Sequence, residues 1–185
     1  MNFFQKIIRC TVVSVCALAL AACGSNGILA PKAPNLNKQL EMTADVSCGD
    51  DNFSISLSRN AIGKWQAVLL EPYEVQGIGF NYSRGEVSAS LEGISAEKLT
   101  SDFDSSPLGI IISSLENALQ DNNGTVTYAD GGYTVRSGDC ILAFEQGSAA
   151  PISIEISKAR ISAKVRDFTV KGDILKDDPD VMLVQ

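Results

Sequence analysis

The 185 residues include five cysteines and no histidine. Without imidazole there is no Ser–His or Cys–His nucleophile–base pair and no histidine metal ligand. Ser95-Ala96-Glu97-Lys98 has the S-x-x-K spacing of an activated serine, but the S-D-N and K-T-G elements that complete that machinery are missing. Ser95 also stands where a helix cap is expected. Asp50-Asp51-Asn52 falls between apolar runs, where Asp and Asn suit turn geometry. Asp177, Asp178 and Asp180 lack the glycine and distant glutamate of a calcium loop. The expectation is a non-enzymatic protein with no catalytic residues, no metal and no cofactor.

The cysteine with a chemical role is Cys23. Residues 1–22 carry Lys6 and Arg9, then an apolar run from Cys10 to Ala22, then Leu20-Ala21-Ala22-Cys23. This is the layout of an export signal with cleavage between Ala22 and Cys23. The run is shorter than the roughly 20 apolar residues needed to span a bilayer. The tetrapeptide resembles the lipobox of bacterial lipoproteins. That resemblance implies a diacylglyceryl group on the Cys23 thiol and cleavage before it, so that Cys23 becomes the first residue. Two acyl chains suffice for stable anchoring. The expected location is the extracytoplasmic side of the cell membrane, held by lipid.

Cys10 and Cys16 leave with the signal, and Cys48 and Cys140 remain in an exported domain. They are either a disulfide, which the compartment permits, or two buried thiols acting as small hydrophobes. The formal charge is −7, becoming −9 once Lys6 and Arg9 are removed. A surface that acidic repels nucleic acid and anionic headgroups, so no nucleic-acid partner is expected.

The chain divides into the signal (1–22), a lipidated end and Gly/Pro/Asn-rich tether (23–39), a domain (40–170) and an acidic tail (171–185). Within the domain, apolar residues alternate with polar ones. Phe53, Ile55 and Leu57 are followed by Trp65, Ala67 and Leu69, then by Ile78, Phe80 and Tyr82, and by Val87, Ala89 and Leu91. Asp130-Gly131-Gly132 is a hairpin signal. Nine or ten short strands, mostly joined locally, predict an antiparallel sheet. A short helix is expected over 95–103. A stronger one is expected over 106–119, with Ser106 as its cap, Pro107 in its first turn, and Leu108, Ile111, Ile112, Leu115 and Leu119 on one face.

Gly63-Lys64-Trp65, Glu71-Pro72, Gly77-Ile78-Gly79-Phe80, and Gly147 through Pro151 to Phe168 are similar to small lipoproteins of the LolA/LolB-like superfamily. The likeness spans roughly residues 40–170. It implies an α+β fold in which an antiparallel sheet curves into an incomplete barrel packed around one or two helices. It also implies an apolar cavity for an acyl chain, lined by candidates Trp65, Phe80, Leu108, Ile112 and Phe144. Arg59, Arg84 and Arg136 are the candidates for a cavity arginine. The alternative role is an envelope scaffold that contacts another exported protein and has no small-molecule ligand.

Overall fold

A computed structural model describes residues 35–97, 100–121, 123–129 and 131–173. Ala22, Cys23, the rest of the export signal, Lys98, Asp130 and the acidic stretch 177–180 lie outside these residues. The described chain forms one antiparallel sheet. Its first strands are β1 (Lys38–Cys48), β2 (Asp51–Ala61), β3 (Lys64–Glu71), β4 (Gly79–Ser83), β5 (Glu86–Leu91) and β6 (Ile94–Glu97). After two helices come β7 (Thr125–Ala129), β8 (Gly132–Ser137), β9 (Cys140–Glu145), β10 (Pro151–Ile156) and β11 (Ile161–Asp173). The strand order is β6-β5-β4-β3-β2-β1-β11-β10-β9-β8-β7. Each arm is a meander of hairpins, and β1 and β11 join the two arms at the centre.

Period-two alternation separates the two faces. Leu40, Met42, Ala44 and Val46 of β1 are buried on one side, with Ile55 and Leu57 of β2, Leu142 and Phe144 of β9, and Ile161 and Ala163 of β11. The intervening residues form a polar outer face. Register slips interrupt the ladders at Gln39/Leu40, Thr43/Ala44, Ser54/Ile55 and Pro151/Ser153. Such bulges increase local twist and bend a strand.

The helices are α1 (Thr100–Asp104) and α2 (Pro107–Gln120). The Ser106 hydroxyl caps α2 by accepting the Gly109 N–H at 3.1 Å, and Pro107 occupies the first turn. All five residues of the expected stripe are buried in the core cluster. Burying each such side chain contributes about 1.5–3 kcal/mol. Asp121 ends the helix, where its side chain accepts the Asn123 N–H at 2.8 Å.

The expected helix over 95–103 is shorter than its sequence suggested. Glu92 and Gly93 adopt positive φ of 48° and 85° and turn the chain into a hairpin, so Ser95 pairs with Ser90 in β6. Two left-handed residues in succession match the right-handed twist of a tight hairpin. Ser95 is therefore a ladder residue and not a cap. The domain also reaches past both expected boundaries. Lys38 and Gln39 of the expected tether pair with Asp173 and Gly172 of the expected tail. Leu36 is already buried in the core.

Cys48 and Cys140 are free thiols. They stand in one row across the sheet, Cys48–Ile161–Ile156–Cys140, with β11 and β10 between them. Three strand spacings amount to about 14 Å. A disulfide needs Cα atoms within about 7 Å. In this arrangement Cys140 is buried, Cys48 is half-buried, and no disulfide joins them. Burial pushes the Cys140 thiol up to about 11.

Two measurements check the packing. Gly109 sits where a Cβ would overlap the Phe103 carbonyl. Gly→Ala inside a helix ordinarily stabilises by about 1 kcal/mol. Here Gly109→Ala is expected to destabilise by about 1–3 kcal/mol in urea unfolding, because α1 must move away. Under denaturing conditions without reductant, Cys48 and Cys140 are both expected to react with a thiol reagent. In the native protein Cys140 should lag far behind Cys48.

Candidate functional site

A buried ion pair joins α2 to the sheet. Arg59 continues the inward parity of Ile55 and Leu57 and is 0% exposed. Its neighbour across the ladder is Trp65. Opposite them, Glu116 is the one charged residue of α2, and it lies on the apolar stripe between Ile112 and Leu119. Arg59 donates through Nε to Glu116 Oε2 at 2.9 Å and through Nη2 to Oε1 at 2.7 Å. Trp65 Nε1 donates to Oε2 at 2.6 Å, and Gln120 Nε2 also donates to Oε1. The remaining Arg59 nitrogen, Nη1, donates to Asn37 Oδ1 at 3.0 Å and to the Lys38 carbonyl at 3.2 Å. The guanidinium lies 5.9 Å from the Trp65 ring centroid, within cation–π range.

Burial alone would push the Glu116 carboxyl up. Hydrogen bonds from Arg59 and Trp65, the Arg59 charge and the Gly63 backbone outweigh it, so Glu116 is held below its ordinary 4.5. Among the described residues no buried side-chain nitrogen or oxygen lacks a partner. The cluster is thus a saturated structural junction. It has no free acid, base or nucleophile.

The five expected lining residues belong to one core. Trp65, Leu108, Ile112 and Phe144 are buried, and Phe80 packs against them half-exposed. Phe80 meets Phe103 of α1 with ring centroids 5.5 Å apart, and Tyr82 meets the same ring at 6.3 Å. Phe144 stacks on Tyr133 at 4.7 Å, and the Tyr133 hydroxyl donates to the Ser148 carbonyl at 2.8 Å. Of the three arginines considered, Arg59 is in the core, while Arg136 lies on the outer face and Arg84 in the β4–β5 turn. Glu116 was not anticipated. Its signal was available: a lone acid three and four residues from apolar stripe positions, facing a strand whose parity buries an arginine.

Towards β6 the inner face loses its cover. Leu91 and Ile94 pair across the β5–β6 hairpin on the same parity as buried Val87. They are nevertheless 41% and 76% exposed. Leu69 and Ile78, both half-buried, are joined by the Leu69 N–H to Ile78 carbonyl bond of 3.0 Å, and a Cβ at the neighbouring Gly77 would stand 3.8 Å from Leu91. Among the described residues, depressions on the outer face include one of about 370 Å³ across β7–β10 and one of about 430 Å³ beside Tyr73, and neither includes any of the five expected lining residues.

No protein-family model and no curated protein sequence matches this chain. Solved structures similar to it include an uncharacterised conserved protein from Thermus thermophilus, with 12% identity and a TM-score of 0.43 over 80% of this chain and 87% of that one. A LolA superfamily protein from Nitrosomonas europaea is similar at 10% identity and a TM-score of 0.32, over 82% and 91% of the two chains. A DUF1329 family protein from Desulfovibrio piger is similar at 10% identity and a TM-score of 0.38, over 73% and 86%. Likenesses this distant assign no activity.

The junction makes a definite prediction. Glu116→Gln or Arg59→Met leaves a buried partner unmatched and is expected to cost about 3–5 kcal/mol, whereas Arg59→Met with Glu116→Leu should recover much of that loss. Because Glu116 is held below 4.5 when folded, its contribution is complete above pH 4.5 and declines as pH falls through the lowered value. Urea unfolding as a function of pH should therefore show a shallower acid-side fall in the double variant than in the native chain.

Proposed function

We propose that this chain is a non-enzymatic lipoprotein of the cell envelope, anchored by a diacylglyceryl group on Cys23. We further propose that its sheet curls around α2 as a half-barrel and shelters an acyl chain or other apolar ligand. The observation that carries the ligand reading is the uncovered inner-face corner formed by Leu69, Ile78, Leu91 and Ile94. Residues whose parity points them to the core are left in contact with water there. Contiguous exposed apolar surface marks ligand-binding grooves and interaction sites. An acyl chain lying on Leu91 and Ile94 would run towards Phe80 and Phe103. Residues 24–34 separate Cys23 from the described domain, and fully extended they reach about 35–40 Å. That is enough to hold the domain clear of the headgroups.

The same corner, with Ile94 76% exposed, also fits a contact with another envelope protein. Ligand analysis separates the two readings. Mass spectrometry of the gently purified protein is expected to show a bound lipid, and a fluorescent fatty acid should bind saturably. Ile94→Asp should weaken that binding at least tenfold without loss of stability, since the side chain is mostly solvated. A lipid-free protein that ignores the probe would favour the protein-contact role. Separately, Cys23→Ser is expected to move the protein out of the membrane fraction. An unchanged distribution would overturn the anchor.

A further inference from the structure

Hydroxyl and charged side chains on the outer face behave differently in its two halves. Over β1, β2, β3 and β11 they satisfy one another. Ser54 Oγ donates towards Asp45 at 2.7 Å, Thr43 Oγ1 to Asp167 at 2.9 Å and Ser47 Oγ to Asn52 at 2.7 Å, while Arg166 meets Asp45 at 3.4 Å. Over β7–β10 the pattern stops. Strand register there builds one row, Thr125–Arg136–Ile141–Glu155, and beside it a second, Thr127–Thr134–Ala143–Ser153. Directly opposed residues on neighbouring strands point to the same side. These two rows line the depression of about 370 Å³. Among the described residues, none of its hydroxyls, nor Arg136 nor Glu155, makes a side-chain hydrogen bond or ion pair.

Arg136 and Glu155 flank Ile141 from either side, two strand spacings or about 10 Å apart along the backbone. They rise from the same face without meeting. One wall thus offers a cationic fork and the other a carboxylate. Ile141 and Ala143 form an apolar floor, and Thr134 and Ser153 present hydroxyls that can donate or accept. We infer that this depression binds a short zwitterionic peptide, with its carboxylate on Arg136 and its free ammonium on Glu155. Two extended residues span about 7 Å, which fits between side chains leaning inward from a 10 Å separation. A single amino acid holds its two charged groups closer together than a dipeptide does and matches that separation less well. The Thr134 and Ser153 hydroxyls face the intervening peptide group. Guanidinium and carboxylate form their strongest hydrogen bonds with ionised partners, so both peptide ends must be free.

The test uses the purified full chain and calorimetric titration with L-Ala-L-Ala, its N-acetyl derivative, its C-terminal amide, and L-alanine. Saturable binding of the dipeptide is expected, weakened at least tenfold by blocking either end and weaker for alanine. Arg136→Gln should lower dipeptide affinity at least tenfold while leaving binding of the amide unchanged. Glu155→Gln should do the reverse, sparing the N-acetyl derivative. Both side chains are solvent-exposed, so the variants are expected to unfold at the native urea midpoint. Absence of saturable dipeptide binding, or equal affinity for free and blocked peptides, would overturn the inference. So would a preference for an uncharged sugar such as glucose over the dipeptide.

Discussion

One carboxylate, that of Glu116, holds the helical and sheet layers in register. Four side-chain donors converge on it, two from Arg59 and one each from Trp65 and Gln120. An apolar stripe of Leu and Ile can slide along an apolar sheet at small cost, because one aliphatic contact replaces another. A buried ion pair cannot slide, since any shift leaves a charge without its partner in a medium of low dielectric. Net stability is not what such a pair contributes best, because desolvation offsets most of the attraction. Its effect is to make one placement of α2 far better than its neighbours. Gly109 acts alongside it, allowing the first turn of α2 to lie against the Phe103 carbonyl.

That placement determines which apolar surface is covered. With α2 pinned at Arg59 and Trp65, its stripe lies over the middle of the inner face, and Phe103 of α1 extends the cover as far as Phe80 and Tyr82. α1 also touches β5, where Val87 is buried, but the cover ends before the tip of the β5–β6 hairpin. Leu91 and Ile94 therefore keep the parity of core residues without the burial.

Much of this was legible in the chain because alternation is a local signal. The strand that contains Phe53, Ile55 and Leu57, the strand that contains Val87, Ala89 and Leu91, the cap at Ser106 and the stripe of α2 follow from period two, period 3.6 and capping chemistry. Ser95 misleads because Ser followed by Glu and Lys suits a helix start. The left-handed pair Glu92-Gly93, which forces a hairpin instead, is visible only as one glycine. The true boundaries lie beyond 39 and 171 because Lys38 and Asp173 owe their strand conformation to each other across the sheet. No local pattern reports a partner 135 residues away. The same holds for Arg59 and Glu116: each breaks its local rule as a charge on an apolar face, and only together do they make sense. The outer depression was invisible for a different reason. Alternating Thr and Ser on a polar face read as ordinary solvation until register brought two rows side by side.

The position of β1 and β11 bears on how the domain would carry load under the proposed anchor. β1 and β11 are the longest pairing in the sheet and lie at its centre, matched from Lys38 with Asp173 to Cys48 with Ile161. The segment arriving from the proposed anchor therefore enters the most extensively bonded part of the molecule. At that entry Arg59 also holds Asn37 and the Lys38 carbonyl, so the start of the domain is bonded to the same guanidinium that pins the helix. Tension on the amino end would be met by the ladders on both sides of β1 and by a buried ion pair. The free edges, by contrast, are β6 and β7, with four and five residues. Short edges limit unwanted strand pairing between neighbouring molecules. A sheet with its longest ladder at the centre and short strands at its edges thus limits edge-to-edge association through connectivity alone.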